Sequence, residues 1–290
     1  MSLKIKYLTK EAVLRFVDRA LKEDIGDGDH SSLSSIPQDL EQKAKLISKD
    51  EGVLAGVQLA EWIFARYDKT VAIDVKIKDG EEISTGDTVL LLEGKARSIL
   101  SAERLILNCI QRMSGIATYT KKMTELIRGT GVQILDTRKT TPNFRICEKW
   151  AVKIGGAENH RFGLYDMIML KDNHIDYAGG IEKAVTSTKK YLKDNKKDLK
   201  IEVETRTLSE VTEAIESGGV DVIMLDNMLP SMMKEALQII DGRCKTEASG
   251  GITEKNIREI AQTGVDYISV GALTHSYRSL DLSLKAIKEK

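Results

Sequence analysis

Arg138, Lys139, Arg161 and Lys171, with His160 beside them, stand in short polar segments that adjoin apolar runs in the second half of the chain. Together they offer more cationic donors than one carboxylate needs, which predicts a polyanionic ligand. Glu204 and Asp226 add acceptor-only carboxylates at the ends of two further runs. Such oxygens suit a Mg²⁺ ion that keeps several of its waters, and they suit ribose hydroxyls. Glu202 shares a strand face with Glu204, because side chains alternate along a strand. Ser249-Gly250-Gly251 and Gly271-Ala272 close the last two runs. Missing or small side chains there let a phosphate approach backbone N–H groups at helix starts. Nucleophilic catalysis would need a placed nucleophile and base, and the cysteines sit away from these motifs, apart from Cys147 on a predicted helix. The chemistry expected is therefore binding and charge stabilisation of an anion.

Loop residues are commonly polar and a single Lys or Arg is commonly solvated, so no one of these clusters carries the reading alone. Their timing does. Past Gly131, apolar strands alternate with amphipathic helices: Val132 to Leu135, Met167 to Leu170, Ile201 to Val203, Val220 to Leu225, Cys244 to Ala248 and Tyr267 to Val270. Strand, helix and strand with right-handed crossovers predict a parallel sheet, and about six strands, against eight in a full (β/α) barrel, predict incomplete closure. In such a fold the ligand sits at the C-terminal strand ends. The polar clusters stand there: Asp136-Thr137-Arg138-Lys139-Thr140, Lys171-Asp172-Asn173-His174, Glu204, Asp226-Asn227 and the two glycine segments, with Asn159-His160-Arg161 ahead of the second strand.

The first half reads differently. Val13, Val17, Ala20 and Leu21 form a helical stripe after the N-cap candidate Thr9, ending near Gly26. Lys43 to Ser48, the strict alternation of Val71, Ile73, Val75 and Ile77, and Val89 to Leu92 after a Gly86-Asp87 turn predict antiparallel strands. Ser98 to Ile127 predicts a long helix broken near Gly115, and Leu280, Leu282 and Leu284 a last strand returning to this domain. The fold class expected is α/β: an incomplete (β/α) barrel with an N-terminal α+β open-sandwich domain. The domains expected are 1–112 and 113–276, with 277–290 returning to the first.

With 290 residues, 41% of them hydrophobic and only three prolines, the chain predicts an ordinary soluble globule. Lys+Arg and Asp+Glu both number 44, so no overall basic surface exists to attract nucleic acid or anionic lipid. No apolar stretch reaches the roughly 18 residues of a membrane helix, and the charged alternation of Met1 to Lys10 is unlike a signal peptide. Cys109, Cys147 and Cys244 are odd in number, widely spaced and without a C-x-x-C pair, which predicts reduced thiols and a cytoplasmic protein. Asp24 to Asp29 lacks the Gly and Glu positions of an EF-hand loop. Gly26-x-Gly28 lacks the third glycine and preceding strand of a dinucleotide site. Lys78-Asp79-Gly80 reads as a surface turn rather than a lipoyl carrier hairpin.

Glu23-Asp24-Ile25-Gly26, Glu103-Arg104, Thr137-Arg138-Lys139-Thr140-Thr141-Pro142, Asn159-His160-Arg161, Leu170-Lys171-Asp172-Asn173-His174, Leu225-Asp226-Asn227 and Ala248-Ser249-Gly250-Gly251-Ile252 run nearly end to end. With them the chain resembles the quinolinate phosphoribosyltransferases, the carboxylating nicotinate-nucleotide pyrophosphorylases. The resemblance implies transfer of a phosphoribosyl group from phosphoribosyl pyrophosphate to quinolinate with loss of CO₂ and pyrophosphate, giving nicotinate mononucleotide for NAD synthesis. It also implies a Mg²⁺ requirement and a homodimer, open to higher assembly, whose active sites are shared between subunits. By the same resemblance Arg104 reaches the partner's site, and Arg138, His160, Arg161 and Lys171 line the quinolinate pocket. Lys139 and Lys171 face pyrophosphate, Glu204 and Asp226 take the ribose and metal side, and Ser249, Gly250, Gly251, Gly271 and Ala272 surround the 5'-phosphate. Thr140 belongs to the same substrate-binding motif. The chain departs from the family pattern at Asn143, where Gly is usual, and at Gly156-Ala157. Two alternatives share the pocket: a molybdenum-transport-associated homologue with another acceptor, and a non-catalytic metabolite sensor.

Overall fold

The computed structural model describes residues 7–287. The charged alternation at Met1 to Lys10 and the end of segment 277–290 lie partly outside them. The chain divides into two compact units, one built from the chain up to Lys121, Thr140–Gly156 and the chain from Leu273, the other from Lys122–Lys139 and Ala157–Ala272.

In the first unit, helix α1 (Lys10–Ile25) starts where the Thr9 hydroxyl accepts a hydrogen bond from the Ala12 N–H at 3.2 Å, and it stops at Gly26 with φ +58°. Its Val13 and Val17 are buried, as the stripe requires. Helix α2 (His30–Ser35) is capped by the Asp29 carboxylate, which accepts from the Ser32 N–H at 3.1 Å. Strand β1 (Glu41–Ser48), the short β2 (Gly52–Val53), helix α3 (Val57–Tyr67), β3 (Ala72–Val75), the short β4 (Glu82–Ile83) and β5 (Thr88–Lys95) follow. Strands β1, β5 and β3 pair antiparallel, and β2 pairs with β4 in a separate ribbon.

Helix α4 (Ala96–Leu126) continues for 31 residues without a break at Gly115. The expectation of a break there is corrected by packing. A Cβ on Gly115 would fall on the carbonyl oxygen of Arg278, so the glycine admits a neighbouring backbone to the helix surface. Helix α5 (Arg145–Ile154) joins the same unit. Trp150 packs at 6.2 Å from Trp62, Phe144 at 5.5 Å from Phe16, and buried Glu148 accepts from Arg112 at 3.1 Å. These contacts differ from contiguous domains of 1–112 and 113–276 for a physical reason. A continuous helix leaves no loop at 112/113, and α5 buries residues Ile146 to Val152 within the first unit. Asn143, just before it, has φ +64°. Asn tolerates that left-handed conformation, so the turn keeps the geometry a glycine would give.

The second unit is a parallel sheet. Strands β6 (Gln133–Leu135), β7 (Ile168–Leu170), β8 (Ile201–Thr205), β9 (Val222–Asp226), β10 (Lys245–Ser249) and β11 (Tyr267–Ser269) line up in the order β6-β11-β10-β9-β8-β7. Helices α6 (Asp172–Ala178), α7 (Ile181–Asp194), α8 (Leu208–Ser217), α9 (Pro230–Ile240) and α10 (Ile257–Ala261) alternate with them, and α11 (Ala272–His275) follows β11. The described residues place six strands in the barrel where eight would complete the usual count. Among the described residues β6 and β7 do not pair; an isolated bridge joins Leu135 to Glu158. The chain then returns to the first sheet as β12 (Leu282–Ala286), antiparallel to β1 with Leu284 opposite Leu46.

Gly115→Ala therefore sets helix propensity against a backbone overlap. Alanine gains about 1 kcal/mol in a helix, and forced overpacking costs about 1–3 kcal/mol or more. The expected outcome is net destabilisation, seen as a lower urea midpoint at unchanged m-value; a midpoint at or above wild type would show that Arg278 moves away freely.

Candidate active site

A cavity of about 630 Å³ opens at the C-terminal ends of the barrel strands, inside the second unit. Every strand contributes. Arg138 and Lys139 follow β6, Lys171 and Asp172 follow β7, Glu204 projects from β8, Asp226 and Asn227 end β9, Ser249 to Gly251 end β10, and Ser269 ends β11. His160 and Arg161 come from the connection ahead of β7.

That connection is held by a buried carboxylate. Asp136 accepts from the His160 backbone N–H at 2.9 Å and from the Asn159 carboxamide at 2.6 Å. The Arg161 guanidinium then donates to the Met167 carbonyl at 3.2 Å. Burial lowers the Arg161 pKa, and the nearby Arg138 charge lowers it further, while Glu202 and Asp166 oppose both. Two guanidinium groups thus sit close enough to repel, a cost that an anion placed between them would relieve.

On the other side of the cavity the acids gather. Burial raises the Glu204 carboxyl; the Lys171 ammonium, 3.8 Å away, pulls it down, and Asp226 and Asp172 push it up again. Glu204, Asp226 and Asp172 thus line this side with carboxylate oxygens, the hard donor type that Mg²⁺ prefers. Asp226 is steadied by its neighbour, since the Asn227 carboxamide donates to it at 2.7 Å. Asn227 holds φ +54°, its N–H bonds the Ser249 carbonyl at 2.8 Å, and a Cβ on Gly250 would fall on its carboxamide. Gly250 is glycine so that this side chain can stand beside Asp226. Gly251, at φ +62°, faces open space, leaving room for a ligand at the backbone.

Beneath the cations lies a buried cluster. His160 Nε2 is 3.0 Å from Glu202 and 3.3 Å from Glu247, while its Nδ1 accepts from the Arg161 N–H at 2.7 Å. Burial lowers the pKa of the ring and the two carboxylates raise it above its ordinary value, but the Arg161 N–H aimed at Nδ1 opposes a second proton. The Nδ1 contact decides for the neutral form with its proton on Nε2. His160, Glu202 and Glu247 bring three ligand-type atoms within 4.8 Å of one another. With Nε2 protonated the ring offers no lone pair to a metal, and the cluster is held by proximity of charge, since both Glu202 oxygens and one Glu247 oxygen are buried without a hydrogen-bond partner among the described residues.

The cavity brings together Arg138, Lys139, His160, Arg161, Lys171, Glu204, Asp226, Ser249, Gly250 and Gly251. Arg104, exposed on α4, and Thr140 belong to the first unit, where the Thr140 hydroxyl accepts from Arg145 at 2.8 Å. Gly271 and Ala272 follow β11 outside the cavity wall, which Ser269 forms instead. Glu247 was not singled out from the sequence. Its signal is an acid inside a strand that is otherwise buried and short.

Fold and site define an incomplete α/β barrel whose mouth gathers arginines, lysines and carboxylates. The chain belongs to the quinolinate phosphoribosyltransferase family: the model of that family's N-terminal domain matches residues 29–114 and that of its C-terminal domain residues 116–285. It is 48% identical over 284 residues to "Quinolinate phosphoribosyltransferase [decarboxylating] 1b" of Nicotiana tabacum, covering 93% of this chain and 81% of the relative. It is 44% identical to "Probable nicotinate-nucleotide pyrophosphorylase [carboxylating]" of Bacillus subtilis, covering 90% and 89%. The crystal structure of NadC from Streptococcus pyogenes aligns with a TM-score of 0.89 at 39% identity, over 97% of this chain and 99% of that one.

Lys171 lowers the proton affinity of Glu204, so its removal acts in one direction. In Lys171→Met the Glu204 carboxyl should titrate at higher pH than in wild type, followed by carboxyl ¹³C NMR. An unchanged or lower midpoint would remove Lys171 from the electrostatics of the carboxylate side.

Proposed function

We propose that this cavity transfers the phosphoribosyl group of phosphoribosyl pyrophosphate to the ring nitrogen of quinolinate, releasing pyrophosphate and CO₂ and leaving nicotinate mononucleotide, a step of NAD biosynthesis. The observation that carries the reading is the division of one cavity into a cationic side, Arg138, Arg161 and Lys171, and an acidic side, Glu204, Asp226 and Asp172. Membership in a family whose relatives are named for decarboxylating phosphoribosyl transfer supports it. Arg138 and Arg161 take the substrate carboxylates, where planar guanidinium groups form paired hydrogen bonds. Lys139 and Lys171 face the departing pyrophosphate. Glu204 and Asp226 hold the ribose and, partly through water, Mg²⁺, which when bound neutralises pyrophosphate charge. Ser249, Gly250 and Gly251, with Gly271 and Ala272 beyond, take the 5'-phosphate through backbone N–H groups.

The work of these residues is positioning and charge stabilisation. As the C1–O bond to pyrophosphate breaks, the ribosyl centre gains oxocarbenium character and the quinolinate nitrogen lone pair forms the new C–N bond. The resulting pyridinium draws the electron pair left when the 2-carboxylate departs as CO₂, and C2 then takes a proton. No enzyme nucleophile enters. The buried cysteines are unsuited to one in any case, since burial pushes the Cys109 thiol up to about 12 and raises Cys147 as well.

The protein is proposed to be a cytoplasmic homodimer in which Arg104 completes the partner's cavity. Three cysteines without a disulfide support a reducing compartment, and no helix among the described residues is long and apolar enough to cross a membrane.

Two outcomes test the reading. Quinolinate should react at least about 10³-fold better than nicotinate in kcat/KM, because removing one carboxylate leaves a desolvated cation unpaired; comparable turnover of nicotinate would contradict the role of Arg138 and Arg161. Asp226→Asn should keep the melting temperature but raise KM for phosphoribosyl pyrophosphate in Mg²⁺ about tenfold or more, the loss expected of a charged hydrogen bond. KM for quinolinate should change little, and equal effects on both would remove Asp226 from the ribose and metal side.

A further inference from the structure

We infer that Glu202 and Glu247 are positioning residues for the quinolinate site, and that His160 acts through Arg161 rather than as a ligand of the substrate. This rests on the reading of Arg161 as a carboxylate-binding group. The geometry begins with the imidazole. Its side chain is only 6% exposed, and both ring nitrogens face the protein. Nε2 lies 3.0 Å from a Glu202 oxygen and 3.3 Å from a Glu247 oxygen, and Nδ1 accepts from the Arg161 N–H at 2.7 Å. Nδ1 is thereby occupied, and Nε2 faces two carboxylates that would repel a substrate anion.

What the ring does instead is fix a backbone. A hydrogen bond from the Arg161 N–H to Nδ1 requires a lone pair there, and an imidazole keeps that lone pair only while its single proton resides on Nε2. Two carboxylates at Nε2 enforce that tautomer; a single neutral acceptor would hold it more weakly. The His160 backbone is itself held by Asp136, at 2.9 Å. Glu202 and Glu247 come from different strands, β8 and β10, and are 0% and 1% exposed. The substrate arginine is therefore tied through His160 to the barrel's central strands. Glu202 has a second effect, since its charge favours the Arg161 cation against burial and against Arg138.

The test uses the intact protein with Glu202→Gln and Glu247→Gln, near-isosteric changes that keep an acceptor but remove the charge. Each should raise KM for quinolinate about tenfold, Glu202→Gln more than Glu247→Gln, with kcat and KM for phosphoribosyl pyrophosphate within about twofold. Equal shifts in both KM values, or none, would overturn the inference. Wild-type protein that makes no nicotinate mononucleotide from quinolinate would instead overturn the functional reading beneath it. If a variant does not fold, ¹⁵N-histidine-labelled wild type gives the answer. His160 should show a protonated Nε2 and an unprotonated Nδ1, unaltered when quinolinate is added; a doubly protonated ring, or a ring nitrogen that shifts on quinolinate binding as a direct ligand would, overturns it.

Discussion

Like charges can be collected in a half-buried cleft only where opposite charges are fixed against them, and the barrel is organised around that constraint. Arg138 stands close enough to Arg161 to disfavour the Arg161 charge. Asp136, Glu202 and Glu247, all buried, answer from below, through His160 and the backbone of the 159–161 connection. Such buried charges add little net stability, because desolvation consumes most of the Coulombic gain. Their return is a cationic surface already formed before a ligand arrives, which spares the reorganisation that a flexible site would need.

The acidic side follows the same logic with backbone geometry in place of buried counter-charges. Asn227 accepts a left-handed conformation, and its carboxamide is left room by a glycine at 250 to hold Asp226 in place. Strain at a sparsely populated φ persists where the surroundings over-determine it. Here the Ser249 carbonyl and the Gly250 turn do so. One short loop thereby sets both the orientation of a carboxylate and the opening at Gly251.

Much of this was legible in the residues. Apolar runs ending in Arg138, Lys171, Asp226 and Gly250 mark strand ends, because a buried parallel strand must be apolar and its C-terminal loop need not be. The parallel sheet and the return of Leu282 and Leu284 to β1 follow from periodicity alone. Other features leave no local trace. Gly115 reads as a helix breaker until the backbone of Arg278 appears beside it, a contact 163 positions away in the chain. Glu247 reads as one acid in a short strand until β8 and β10 place it and Glu202 on a single imidazole. The role of α5 in the first unit depends on Trp62 and Arg112, which no pattern near residue 150 records.

The central claim is that the cationic side is a preformed seat for a dicarboxylate, with the transfer partner held across the cavity. It is tested most directly by the crystal structure of the protein with quinolinate bound. The account predicts both carboxylates on Arg138, Arg161 and Lys171, the ring nitrogen turned toward Glu204 and Asp226, and His160 in unchanged contact with Glu202 and Glu247. Quinolinate seated with its carboxylates on the Gly250–Gly251 loop, or outside the barrel mouth, would contradict it.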